Sequence, residues 1–248
     1  MNQTIKNQLN HRTIREFTKE KISDETIKTL LEVCNMSATS NGMQGFSIIR
    51  VSDQNIKDKL AEIGNQEYMA RASELWIFVA DLFRNYSIAR ENKVENYYMI
   101  SFDKFIQAFT DAIIAAQNLT LAVESMNMGA NYFGNIHNDT KEVINLLKLP
   151  KYTYPAVGVG FGFINQNPQL KPRLDINLKT FENSYKIYDS YSEIIKDYDK
   201  EMTTYYDLRE NGKKSESFSS QIPKKSGSLI KNRNKMFETL KEQGFIIK

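Results

Sequence analysis

Cysteine occurs once and histidine twice among the 248 residues, and each scarcity closes off a class of chemistry. With Cys34 alone there is no internal disulfide and no thiolate metal cluster. Its place in an amphipathic pattern predicts a small buried core residue rather than a redox nucleophile. His11 and His137 have no acidic or cysteine neighbours at ligand spacing, so no metal site is expected. There is no Gly-x-Ser-x-Gly elbow, no P-loop and no Gly-x-Gly-x-x-Gly fingerprint; Gly158, Gly160 and Gly162 are spaced for a strand instead. Acidic side chains are plentiful but unpaired, which gives hydrolysis no support. Neither an apolar N-terminal block nor a run of membrane-spanning length stands out, so a soluble, cytoplasmic protein without a membrane partner is expected. Lys plus Arg outnumber Asp plus Glu by only 33 to 30, a net charge of +3 that does not suit a dedicated nucleic-acid binder.

The apolar content of 41% is enough for a substantial core. Residues 1–10 form a polar lead-in or short helix. Ser23, with Asp24 and Glu25 behind it, caps a helix whose Ile27, Leu30, Leu31 and Cys34 mark a buried face. Phe46–Val51 is β-branched and predicts a strand, and 55–63 a second helix stopped at Gly64-Asn65. The apolar run 75–80 predicts a strand covered on both faces. A polar stretch at 84–98 precedes the most apolar helix, about 102–126, whose middle is apolar on more than one face. Such a helix needs cover all round, as a domain centre and a subunit interface at once. A short strand and turn follow at 131–136, a helix at 140–147 with Asp139 as N-cap, and a strand at 155–163. Its alternate glycines admit a packed helix or a flat ligand. From residue 182 the texture changes: a tyrosine-and-charge helix at 193–206, a charged turn at 209–214, and a basic helix at 228–243 capped by Gly244. Alternating elements with short links predict mixed α and β layers.

Two basic clusters remain. Asn10-His11-Arg12-Thr13-Ile14-Arg15-Glu16-Phe17 opens the chain, and Leu170-Lys171-Pro172-Arg173-Leu174 places cations on either side of a proline that resists helix formation. They read either as solvated surface patches or as a phosphate clamp, in which arginine forks could also meet the edge of a heterocycle. Anion binding with no nucleophile favours a site where a bound cofactor carries the reaction.

The opening His-Arg-Thr-Ile-Arg-x-Phe resembles the His-Arg-Ser-Ile-Arg-x-Phe of the nitroreductase superfamily, above all its oxygen-insensitive NADPH nitroreductases and FMN reductases. The resemblance continues in order through Ala38-Thr39-Ser40, Gly64-Asn65-Gln66, Asp111-Ala112, Tyr132-Phe133-Gly134, Leu170-Lys171-Pro172-Arg173 and Glu182-Asn183-Ser184-Tyr185. It spans nearly the whole chain. It implies an α+β fold with a central, mostly antiparallel sheet flanked by helices and a long central helix at a homodimer interface. A flavin-binding core at 1–181 would be followed by a helical extension at 182–248 that packs on the core or the partner.

The resemblance also implies FMN as bound cofactor and NADPH as co-substrate. His11, Thr13, Lys171 and Arg173 would hold the FMN phosphate, with Arg12 a further cofactor-binding residue, and Arg15 the N1/O2 edge of the ring. Gln66 would meet the pyrimidine, and Thr39, Ser40 and Asn41 would line the flavin from the other subunit. Phe133, Gly134 and Asn135 would stand near N5 and O4, with backbone N–H groups as donors, and Tyr132 would be a further cofactor-binding residue. Arg209 would contact the NADPH 2′-phosphate, joined by Lys213, Lys214 and Lys231. The implied reaction is ping-pong hydride transfer from NADPH to FMN and on to a nitroaromatic, quinone, flavin or similar acceptor. Four positions depart from the family pattern: Thr13 for Ser, Gly42 for a bulkier residue, Asn135 for the second glycine of Gly-Gly, and His137 for Arg. Two other readings stay open: a flavin reductase supplying free reduced flavin, and a non-enzymatic anion-binding module with a colourless, salt-sensitive phenotype.

Overall fold

In the computed structural model, residues 1–94, 97–207, 213–227 and 232–247 are described. The backbone groups into two compact units, 1–167 with 230–248, and 168–229.

The first unit opens with helix α1 (Gln3–Leu9) and α2 (Asp24–Asn35). Ser23 caps α2 by accepting from the Thr26 N–H, and Ile27, Leu30 and Cys34 are buried. Leu31, expected on the same face, is instead 38% exposed. Strand β1 (Phe46–Arg50), helix α3 (Gln54–Gly64) and strand β2 (Glu74–Asp81) follow, with Asn65 in the left-handed region ending α3. The polar stretch after β2 contains a helix, α4 (Phe83–Glu91), that hydrophobic spacing did not reveal. It is anchored by polar groups instead: Asn85 Nδ2 donates to Met43 O at 2.8 Å and Arg84 to the carbonyls of Gln44 and Phe46.

Helix α5 (Phe102–Ser125), strand β3 (Met128–Phe133), helix α6 (Thr140–Leu146) and strand β4 (Thr153–Phe163) complete the layers. The strands form one antiparallel sheet in the order β1-β2-β4-β3. Alternation gives each face its own cover. Trp76 and Phe78 of β2 with Val157, Val159 and Phe161 of β4 pack on α2 and on the alanine-rich side of α5. Leu75, Ile77 and Val79 point the other way, toward α3, Met69 and Phe133. At 24 residues α5 is long and apolar enough to span a membrane by length and composition, contrary to the expectation that no segment is. Its Ala108, Ala112, Ala115, Ala116 and Leu119 nevertheless lie buried against the sheet, as in a domain-centre helix. An outer stripe with Ile106, Ile113 and Ile114 stays exposed.

The strand glycines are covered by neither a helix nor open space. A Cβ at Gly160 would meet the Phe133 ring at 2.7 Å and Ala72 at 3.0 Å, and one at Gly162 would meet Ser73 Oγ at 2.4 Å. An aromatic ring and a loop fill the room. The chain end returns to this unit: Phe102 N donates to Ile246 O and Ile246 N to Ile100 O, both at 2.9 Å. Leu240 and Phe245 pack with Phe105 and Tyr154.

The second unit holds two short helices, α7 (Tyr191–Ile194) and α8 (Lys196–Met202), where one helix was expected over 193–206. The break at Ile195 reflects tyrosines and charges that supply no continuous apolar stripe. A two-residue ladder pairs β5 (Tyr206–Asp207) with β6 (Lys213–Lys214), and α9 (Phe218–Ser226) packs on α8 through Tyr198 and Phe218, ring centres 5.5 Å apart. In place of the long basic helix expected at 228–243, the described part carries a 3₁₀ turn at Arg233–Lys235 and α10 (Met236–Glu242), which belongs to the first unit. Gly244, at φ +91°, ends it as expected.

Gly129 is where the opening segment crosses β3 most closely: a Cβ there would stand 2.3 Å from Ile14 Cγ1. Gly129→Ala is therefore expected to lower unfolding stability by about 1–3 kcal/mol, as overpacking does. Urea denaturation measures it, and a change below a few tenths would contradict this contact.

Candidate functional site

The site is built from the opening segment lying along the outer edge of β3. Ile14 N donates to Ala130 O at 3.0 Å, and four residues later Thr18 N donates to Phe163 O at 2.9 Å. Between them Arg15 N donates to Gln166 Oε1 at 2.7 Å, and Asn165 N to Glu16 O at 3.0 Å. Glu16 in turn holds Arg71 through a 2.6 Å ion pair. Ile14, 3% exposed, anchors the segment in the core. This backbone pairing presses two arginines against the protein, and Arg12 Nε and Arg15 Nε are both buried with no hydrogen-bond partner. A buried unpaired donor costs about 1–3 kcal/mol, and more on a charged group. Such atoms mark a place shaped for an acceptor.

His11 sits at one end of this row. Its Nδ1 meets Glu124 Oε1 at 2.5 Å, with the glutamate 11% exposed at its side chain. No spacing rule could pair residues 113 apart in the chain; α5 brings the carboxylate there. A guanidinium face continues inward, with Arg15 Cζ 5.8 Å from the Tyr68 ring centre and Tyr68 5.9 Å from Phe133. Gln66 stands two residues before this tyrosine, directly after Asn65. Asn135 Nδ2 donates to Gly64 O at 2.7 Å, which ties the turn after β3 to the same loop. The opening segment, the 64–68 loop and the 133–135 turn thus converge.

Strand alternation separates Tyr132 from this group. Its hydroxyl bonds to Thr120 at 2.9 Å and Gln117 at 3.1 Å on the α5 face. Asn131, buried and opposite Gly160, was not singled out from the sequence, yet its Nδ2 is a further buried donor without a partner. The period-two pattern of β3, with Ala130 and Tyr132 toward α5, was the signal that would have found it.

Thr39, Ser40 and Asn41 lie elsewhere on the chain. Buried Asp111 accepts from Ser40 N at 2.8 Å and Gly45 N at 3.1 Å, and Asn41 Nδ2 donates to Gln107 at 3.2 Å. Residues 111 and 124 are thirteen positions apart on α5, roughly 20 Å along an α-helix. Gly42 sits at φ +65° with open space where a Cβ would be.

Lys171 and Arg173 belong to the second unit, where Lys171 Nζ is 5.9 Å from the Tyr205 ring centre. Lys213 and Lys214 form β6; Arg209 and Lys231 lie outside the described residues. His137 faces the core, its Nε2 2.9 Å from Ala156 O and its ring stacked 5.8 Å from Tyr154, and burial pulls its pKa down. Burial pushes the Cys34 thiol up to about 12, so it stays a protonated core residue. No group of three or more potential metal ligands occurs among the described residues.

A four-stranded antiparallel sheet packed against a long apolar helix, with two buried, unpaired arginine Nε–H donors along its edge, fits the nitroreductase class. The chain belongs to the nitroreductase family: a model of that family matches residues 9–163, and one of the nitroreductase family C-terminal domain matches 171–248. It is 35% identical over 248 residues to the FMN reductase (NADPH) of Bacillus subtilis, covering 99% of both chains. It is also 35% identical over 243 residues to an NADPH-dependent oxidoreductase of Staphylococcus saprophyticus, covering 96% of each. Among solved structures, NfrA1 of B. megaterium aligns with a TM-score of 0.90 at 35% identity over 98% of this chain and 99% of that one. The NADPH:FMN oxidoreductase of Vibrio harveyi, complexed with NAD+, aligns with a TM-score of 0.87 at 30% identity over the whole of both chains.

Asp111 carries two backbone N–H groups that nothing else satisfies. Asp111→Ala is expected to cost about 2–4 kcal/mol, the range for bonds to a buried charge. Chemical denaturation would reveal it, and a loss under about 0.5 kcal/mol would show that the loop is held by other contacts.

Proposed function

We propose that this chain is a cytoplasmic, FMN-dependent reductase, acting as a homodimer, that oxidises NADPH and passes the electrons to a small acceptor. The observation that carries it is the pair of buried, partnerless Nε–H donors of Arg12 and Arg15 on the sheet edge. The residues present fit FMN: the three buried unpaired donors suit a ligand rich in acceptor oxygens and ring nitrogens. Bound FMN would supply hydride acceptance from NADPH and electron release to the acceptor.

The chain's own part is holding and charge. His11, Arg12 and Thr13, with Lys171 and Arg173, would take the phosphate; Glu124 orients His11 for that role. Arg15, fixed by Gln166 and Tyr68, would place its cation at the N1/O2 edge, favouring added negative charge there by a preorganised field. Gln66 would read the pyrimidine edge, and Phe133, Gly134 and Asn135 would line the N5 and O4 side. Thr39, Ser40 and Asn41, roughly 20 Å along α5 from the His11 end, would complete the site in a second copy. The exposed stripe of Ile106, Ile113 and Ile114 gives that copy an apolar seat. Arg209, with Lys213, Lys214 and Lys231, would meet the NADPH 2′-phosphate. With no side-chain nucleophile required, stacking of the nicotinamide and acceptor in turn supplies the rate.

A flavin reductase that releases reduced flavin is the second reading, favoured by the relative named FMN reductase (NADPH). Retention of FMN through dilution separates the two.

The purified protein is expected to be yellow, with one FMN per chain, and to bleach anaerobically with NADPH; a colourless protein that takes up no added FMN would refute the reading. Arg15→Met should weaken FMN binding ten- to a hundredfold, about 1.4–3 kcal/mol for a lost charged hydrogen bond. Flavin fluorescence titration of the apoprotein reads it. Arg209→Ala should raise KM for NADPH far more than for NADH, and equal effects would remove Arg209 from the phosphate site.

A further inference from the structure

Among the described residues, four buried side-chain atoms lack a partner. Three are N–H donors, on Arg12, Arg15 and Asn131, and one is an acceptor, Asn135 Oδ1. The odd one out is held in place. Gly64 O accepts from the Asn135 amide nitrogen at 2.7 Å, and a carbonyl can only accept. The amide therefore cannot be turned round, and Oδ1 is committed to the other side. The fit is close: a Cβ on residue 64 would stand 2.3 Å from Asn135 Nδ2, so only glycine leaves space for this bond. On the adjoining residue, exposed Gly134, a Cβ would meet nothing within 4 Å. An acceptor is thus kept out of water and unpaired, one residue from open ground.

What such an oxygen needs is an N–H. In FMN the ring N3 carries one in every redox state, whereas N5 carries one only when reduced and offers a lone pair when oxidised. The functional reading above puts the 133–135 turn on the N5 side, and the present inference rests on it. We propose that Asn135 is a redox-selective acceptor, bonding the N5–H of reduced FMN through Oδ1 and opposing the N5 lone pair of the oxidised form. Both effects favour the reduced cofactor, so this side chain raises the flavin's potential. Asn135 is a cofactor-contacting residue in this account, and it exchanges no proton.

The test uses apoprotein of the wild type, Asn135→Ala, the bulkier Asn135→Leu, and Asn138→Ala as control. Asn138 donates to the same Gly64 carbonyl at 3.2 Å but carries no unpaired buried acceptor. Each protein is titrated with oxidised FMN and, anaerobically, with chemically reduced FMN, and its midpoint potential is measured. Both Asn135 variants should bind reduced FMN about tenfold more weakly and oxidised FMN within about twofold of wild type. A tenfold change corresponds to a potential about 30 mV lower for a two-electron couple. Asn138→Ala should keep the wild-type ratio of the two affinities. Equal weakening of both redox forms in the Asn135 variants, or no change in either, overturns the proposal while leaving the flavin reading intact. A wild-type protein that binds FMN in neither form overturns both.

Discussion

The pairing of residues 14–18 with the edge of the sheet is the constraint on which the rest of the site depends. Three backbone bonds, Ile14 N to Ala130 O, Asn165 N to Glu16 O and Thr18 N to Phe163 O, hold a segment that has no helix or hairpin of its own. Its side chains are held because its backbone is: with Ile14 in the core, neighbouring Thr13 and Arg15 have little freedom. The close approach demands Gly129 on the strand below. The Arg71–Glu16 pair adds to it, although half-exposed ion pairs of that kind contribute only about 0–1 kcal/mol. The backbone ladder, not the surface charge, fixes where the cations stand.

Helix α5 acts as a ruler for everything else. One side of it buries alanines against β2 and β4, which permits close helix-to-sheet contact. Its polar positions are spent at defined heights: Asp111 on the 40–45 loop, Asn118 on Ser37, Thr120 on Tyr132 and Glu124 on His11. The loop and the opening segment are therefore placed by one rigid body, thirteen residues apart along it. Roughly 20 Å of helix separates the Glu124 that meets His11 from the Asp111 that holds Ser40. On the proposed reading, a second copy seated on the exposed isoleucines would bring both sets of groups to one ligand.

Much of the scaffold could be read from the residues themselves. The Ser23 and Asp139 caps, the Gly64-Asn65 stop and the doubly covered β2 all follow local rules, and the structure obeys them. What escaped was set by tertiary contacts. Helix α4 is held by arginine and asparagine reaching back to loop carbonyls, which leaves no apolar period to detect. Leu31 fits the buried spacing of α2 but lies at the margin of the face that α5 covers. In the site, the His-Arg-Thr-Ile-Arg run was legible as a unit because its residues are neighbours. The His11–Glu124 pair and the unpaired Asn131 were not, since a partner 113 residues away, or the lack of one, is a property of the fold.

Buried groups left without partners usually signal strain or a missing guest, and their chemistry decides between the two. Strain would leave donors and acceptors scattered over the core. Three of these four atoms instead belong to the opening segment and its neighbouring strand, and the fourth to the turn that follows that strand. At about 1–3 kcal/mol each, they forfeit a sizeable part of the 5–15 kcal/mol that holds a domain together. A ligand that satisfies them returns that energy on binding, and it stabilises the fold in proportion to its own occupancy. On the proposed reading, the groups whose burial without partners costs stability are therefore the ones that would hold a flavin cofactor.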